Sequence, residues 1–242
     1  MAVIFLHESM ILMQDEVKTL EQGEAAVALK AAWINFFGTD PSNDSLALLW
    51  GQSALETARW KAIHCYNYGN IKKRHANPQF NTEDDGHDWC MYRCNELLNG
   101  KLCWFDPPHP QTHFRAYSTA EEGAEDYINF VANRPRYKKA WQEVMNGDPA
   151  AYSHELKVAG YYTASENLYT RGIVSLTNEF KQRADKLLLW APDSASEVTP
   201  SSLFTYEEEQ NIRGIIGLTL SQSVSNYFSN TDRYDTDTNK IT

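Results

Sequence analysis

The sequence predicts a mainly α-helical domain with a small β or irregular lobe inserted in it and a C-terminal extension. Three observations predict this. Apolar residues recur at helical spacing in several long stretches, helix-start signatures stand before three of them, and one turn-rich stretch, residues 64 to 113, holds all four cysteines and five of the seven histidines.

Taken in order, residues 8 to 37 carry helix formers with Ile11, Val17, Leu20, Val27 and Leu29 at helical spacing, and "GTDPSNDS" then resets the chain. A second helix runs from Ser45 through Leu46, Leu49, Trp50 and Ala54, which share one face, and Glu56 lies near its end. The lobe follows, with turns and short strand-like runs. "STAE" at Ser118 to Glu121 has the capping-box pattern, Asp148 and Pro149 suit an N-cap and first helical position, and "TASE" at Thr163 to Glu166 repeats the box. Gly160 stops the helix between. The last helix has an apolar stripe at Leu168, Ile173, Leu176, Phe180, Ala184 and Leu187. Residues 1 to 190 form the predicted domain, and 191 to 242, polar around "IRGIIGLTLSQSV", form an extension that needs a partner surface to become ordered.

With 32 acidic against 22 basic residues the formal charge is -10, which argues against nucleic acid as a partner. His7, Glu8, Asp15 and Glu16 interrupt the apolar opening, so neither a signal peptide nor a membrane span is expected. The cysteines Cys65, Cys90, Cys94 and Cys103 permit two disulfides, a structural zinc or free thiols. Zinc ligands usually come in pairs two to four residues apart, which Cys90 and Cys94 satisfy, while Cys65 and Cys103 stand alone unless histidines complete the set. No cofactor is expected for the chemistry.

The stretch that carries chemistry is "WGQSALETARW", residues 50 to 60, where Glu56 is a lone acid among small, apolar and aromatic residues. It is an exposed helical glutamate, a buried partner of an arginine such as Arg59, or an acid kept dry so that its pKa rises. In the third case it holds its proton near neutral pH and can give it to the leaving oxygen of a glycoside, while a second carboxylate activates water.

Several segments, in the same order, resemble the glucosaminidases of glycoside hydrolase family 73, the flagellar-type peptidoglycan hydrolases and autolysins of the lysozyme-like superfamily. "GQSALETARW" resembles the family's A-Q-A-A-L-E-S-G-W-G, "NYGNIKK" at Asn67 to Lys73 its N-L-F-G-I-K-A, and "CNELLNG" its T-T-E-Y-E-N-G. "FRAYSTAEEGAEDYINFVANRPRYKKAW" and "ELKVAGYYTASENLYTRGIVSL" resemble its F-R-x-Y-x-S and A-G-Y-A-T-D-P-x-Y segments. The resemblance spans about residues 46 to 180 and implies a lysozyme-like fold. It implies Glu56 as general acid, Glu96 as second carboxylate and Tyr161 as the cleft tyrosine, with Gln52, Trp60, Asn67 and Tyr162 binding substrate. Two departures stand out: Ala58 and Arg59 intervene before Trp60, and the lobe is enlarged, which makes Asp84, Asp85 and Asp106 alternatives to Glu96. Glu96 also has a plain reading as a solvated loop acid, and Tyr161 and Tyr162 as packing residues.

The implied activity is cleavage of peptidoglycan glycan strands at N-acetylglucosaminyl bonds. The expected setting is a bacteriophage tail or virion whose structural proteins hold the extension, with action in the host cell wall or periplasm. A muramidase or lytic transglycosylase, and a non-catalytic glycan-binding virion protein, are the alternatives.

Overall fold

The computed structural model describes residues 10–98, 101–162 and 165–191, with two short strands further on. The elements are β1 (Val17–Lys18), α1 (Gln22–Phe37), α2 (Asn43–Glu56), β2 (Ile63–His64), β3 (Trp89–Met91), β4 (Cys94–Leu98), β5 (Lys101–Phe105), β6 (His113–Arg115), α3 (Ala120–Asn133), α4 (Lys138–Asn146), α5 (Pro149–Val158), α6 (Glu166–Leu188), β7 (Tyr234–Asp235) and β8 (Lys240–Ile241). The strands form antiparallel pairs: β1 with β2, β3 with β6, β4 with β5, and β7 with β8. Among the described residues the molecule is therefore mainly α, with a small β lobe between α2 and α3.

The first helix is shorter than its apolar spacing predicts. Residues 10 to 21 are extended: Leu12 bridges Trp89, and Val17 and Lys18 pair with His64 and Ile63. Sheet pairing to distant residues overrides helix propensity there, and Ile11, Leu12 and Val17 stay exposed. The helix starts where Glu21 and Glu24 cap each other reciprocally.

α2 forms the middle of the core. It starts on the N-cap Ser42, whose hydroxyl accepts from the Ser45 amide, and every residue from Ser45 to Glu56 is buried. A helix buried all round belongs at the centre of a bundle. Two glycines let α6 approach it closely. A Cβ on Gly51 would lie 2.9 Å from Thr177 Oγ1 and 3.0 Å from the Thr177 amide nitrogen, and one on Gly172 would lie 2.9 Å from Leu55 Cδ1. That contact sets the last turn of α2 against the first turns of α6.

Capping follows the sequence with small shifts. The N-cap of α3 is Thr119 rather than Ser118, though Ser118 still takes part, its amide donating to Glu122 Oε2. Asp148 caps α5 as expected, accepting from the amides of Ala150 and Ala151, and Gly160 follows that helix at φ 69°. α6 begins after Ser165, with no side-chain cap bond; Thr163 and Ala164 lie outside the described residues. Ile173, Leu176, Phe180 and Leu187 face the core, but Leu168 is exposed and Tyr169 takes the inner place beside it. The extension from 192 lies outside the described residues apart from β7 and β8. No described helix is long and apolar enough to cross a membrane.

Candidate active site

Glu56 is the last residue of α2 and is only 5% exposed. Its Oε1 accepts a hydrogen bond from the Tyr169 hydroxyl at 2.8 Å, and its Oε2 is buried with no partner among the described residues. Burial pushes the carboxyl up to about 8, against the opposing effect of the Tyr169 hydrogen bond. Among the described residues no arginine or lysine bonds to it: Arg59 instead makes a bidentate pair with Glu179, at 2.8 and 2.7 Å. Glu56 is thus neither an exposed glutamate nor the partner of Arg59, but a buried acid.

A chain of buried side chains fixes the direction of that hydrogen bond. Gln52, one turn before Glu56, is wholly buried. Its Oε1 accepts from the hydroxyls of Tyr127, at 2.6 Å, and Tyr152. Its Nε2 must then face Tyr169 Oη, 3.4 Å away, so Tyr169 accepts from Gln52 and donates to Glu56. With Oε1 occupied as an acceptor, the carboxyl proton belongs on Oε2. Below, Asn70 Nδ2 donates to the Glu56 carbonyl at 2.7 Å, and the Tyr92 hydroxyl donates to Asn70 Oδ1 at 3.1 Å.

The backbone after Glu56 absorbs the two residues by which the sequence departs from the family pattern. Ala58, Arg59 and Trp60 have φ of 52°, 58° and 55°, three left-handed residues in a row. Each costs on the order of 1 kcal/mol or more, and is held only because the surroundings over-determine it. Here the Arg59 amide donates to the Ala54 carbonyl, its guanidinium is locked to Glu179, and the Trp60 amide donates to Thr57 Oγ1.

The other implied residues are placed as follows. Tyr161 is buried and donates to the Gly69 carbonyl at 3.3 Å; the tyrosine on the carboxyl is Tyr169. Gln52 supports the site from within rather than from a cleft surface. Trp60 is fully buried between Trp50 and Tyr68, its indole donating to Ser53 Oγ, so it packs as core and presents no face to a saccharide in this conformation. Asn67 is likewise enclosed, tying the carbonyls of Ile71 and Arg115 together. Tyr162 stacks on Tyr169 at 3.7 Å and bonds Ser153, buttressing the donor ring. Glu96 sits on β4 opposite Cys103; its side chain lies outside the described part of the structure.

The alternatives to Glu96 are committed elsewhere. Lys73, whose side chain is fully buried, pairs with Asp84 and, at 2.9 Å, with Asp85. Arg115 bridges Asp85, at 2.9 Å, and Asp126, at 2.7 Å. Burial works to raise the Asp85 carboxyl, but His87, Arg115 and Lys73 outweigh it and hold it well below the usual carboxylate range. So strong an acid is a weak base. Asp106 is exposed and pairs with Arg93 at 3.0 Å.

The four cysteines do not gather. Cys65 and Cys90 meet beside Asp15, whereas Cys94 contacts the Gln111 carbonyl and Lys72 Nζ, and Cys103 lies on β5 opposite Glu96. Among the described residues, a zinc set made of all four is not formed.

Tyr169 is the residue that sequence reasoning missed. Its signal was present, since "LYTRG" repeats a family tyrosine and lies four residues before Ile173 of the core stripe.

A mainly helical bundle that ends its central helix in a buried, tyrosine-held carboxyl, pushed by burial above the usual carboxylate range, has the features of a general-acid glycosidase. Residues 19–182 match the Glucosaminidase family model, described as mannosyl-glycoprotein endo-beta-N-acetylglucosaminidase. The chain belongs to this family and is a glycoside hydrolase. No curated protein matches the sequence. A crystal structure of a peptidoglycan hydrolase mutant from Sphingomonas sp. A1 is similar at a TM-score of 0.44 and 25% identity, covering 68% of this chain and 93% of that one.

Proposed function

We propose that the chain cleaves peptidoglycan glycan strands as an endo-N-acetylglucosaminidase, with Glu56 as general acid. The observation that carries the proposal is a buried carboxyl at the end of α2, held through Oε1 by the Tyr169 hydroxyl and with no partner for Oε2 among the described residues, a setting that pushes its pKa up to about 8. The proton on Oε2 passes to the glycosidic oxygen as the bond to the anomeric carbon breaks. Proton donation of this kind contributes about 10² to 10⁴ in rate. Glu96, from the lobe side, then activates the water that attacks the sugar cation. The peptidoglycan substrate is supported by the run of flagellar-type motifs from Gln52 to Tyr161.

The test is zymography on purified peptidoglycan with product analysis. Wild type should release strands ending in reducing N-acetylglucosamine, and Glu56→Gln should lose at least about a hundredfold. Anhydro-muramic ends, with Glu96→Gln unaffected, would replace this reading with a transglycosylase, and sacculus binding without any bond cleavage would replace it with a binding protein.

The setting we propose is a bacteriophage virion, acting locally on the host wall. Its support is the extension at residues 191–242, polar around the apolar run "IRGIIGLTLSQSV", which suits attachment to an assembly. An antibody against the chain should label purified particles; particles free of it contradict the setting and leave the enzymology intact.

A further inference from the structure

The structure brings together three potential metal ligands from segments far apart in sequence: Asp15 before β1, Cys65 after β2, and Cys90 on β3. We propose that they form a structural site for a divalent cation of the zinc class. The three ligand atoms lie within 4.8 Å of one another, and Cys65 Sγ is 3.9 Å from Asp15 Oδ1. Tetrahedral zinc with its usual bond lengths holds sulfur and oxygen ligands about 3.5 Å apart and two sulfurs about 3.8 Å apart, so the triad needs only a small contraction.

Three features separate this from a chance pair of thiols. Cys65 and Cys90 are 3% and 0% exposed, and a carboxylate oxygen of Asp15 lies within 4.8 Å of both sulfurs. A bound divalent cation would hold both sulfurs as thiolates and offset the repulsion between them and the carboxylate. Next, His64 Nδ1 lies 2.8 Å from Asp15 Oδ1, the type of outer contact that orients a ligating carboxylate. Finally, Cys65 is held in the left-handed region at φ 46°, where a residue with a Cβ is strained, and that conformation brings Sγ to the Gln14 carbonyl at 3.7 Å. The carbonyl or a water supplies the fourth position.

The site would fasten residues 14–18, the chain after α2 and strand β3 to one another. Its influence reaches the catalytic acid. Tyr92, two residues past Cys90, stacks on His64 at 3.8 Å and bonds Asn70, which bonds the Glu56 carbonyl. On binding, the two thiols release their protons to solvent and the metal undergoes no redox change.

The test is cobalt(II) titration of the reduced, metal-stripped full chain, followed by zinc competition and elemental analysis. The proposal expects one equivalent bound, with intense sulfur-to-cobalt charge-transfer absorption that zinc abolishes. Cys90→Ser should lose that binding, His64→Ala should weaken it roughly 10- to 100-fold, and Cys103→Ser should bind as wild type does. Absence of the absorption in the folded wild type overturns the proposal. So does a Cys65–Cys90 disulfide in chain purified without reductant that persists with zinc present, and so does unchanged cobalt binding by Cys90→Ser.

Discussion

Tyr169 has one hydroxyl hydrogen, and because Gln52 Nε2 faces its oxygen, that hydrogen goes to Glu56 Oε1. The bond favours the ionised carboxyl while burial opposes it, and burial wins. Tyr169→Phe should therefore move the alkaline limb of the pH–activity profile upward from about 8, while lowering the rate about tenfold through loss of positioning. A limb that moves down would contradict this arrangement. At this scale the sequence was legible at Glu56, because an acid among apolar neighbours at a helix end is itself the signal. It was not legible at Trp60 and Asn67. Which side of a motif faces inward depends on the left-handed turn at 58–60, and no local pattern announces three such residues without glycine.

The geometry of the acid is set by how α2 and α6 meet. Gly51→Ala would drive a Cβ into the backbone of Thr177, and should cost about 1–3 kcal/mol in urea denaturation. Arg59→Ala would strip the bidentate partner from Glu179, buried at 6% exposure. Because Arg183 also reaches Glu179, at 2.6 Å, the expected loss is about 2–3 kcal/mol, below that for a wholly unpaired buried charge. Helices with dense periodicity and caps were readable, as α2, α5 and most of α6 demonstrate. The stretch before α1 was misread as helix because its pairing partners, His64 and Trp89, lie far along the chain and leave no trace within a local window. Thr119 displaced Ser118 as cap by a single residue, which the pattern alone does not resolve.

Across the whole molecule, two groups of charges pull stability in opposite directions with pH. Glu56 is raised from 4.5 to about 8, so its contribution is complete below 4.5 and is lost as pH rises through 8, about 5 kcal/mol in all. His87 behaves alike. Burial pushes it down, but Asp126 and Asp85 push it up to about 9, and both its ring nitrogens face acceptors, the Asp85 carbonyl at 2.7 Å and Asp126 Oδ1 at 3.0 Å. Its share is complete below 6.5 and fades through 9. Asp85 and Asp126 are depressed, so theirs is present above 3.8 and is lost as pH falls further. Calorimetry should therefore place the maximum Tm near about pH 4–4.5, where the gain from the aspartates gives way to the loss from Glu56. The decline toward pH 9 should be shallower in Glu56→Gln than in wild type, and equal slopes would deny Glu56 its part in it. This junction of Lys73, Asp85, Arg115 and Asp126 ties lobe to helices, and it was illegible in sequence because its members are scattered over some fifty residues.

The claim on which the rest stands is that Glu56 keeps its proton at neutral pH. Carboxyl ¹³C NMR of glutamate-labelled protein, wild type beside Glu56→Gln, measures it directly. One resonance should titrate near 8 and be missing from the variant; a Glu56 resonance that titrates near 4.5 with the other glutamates would contradict the account.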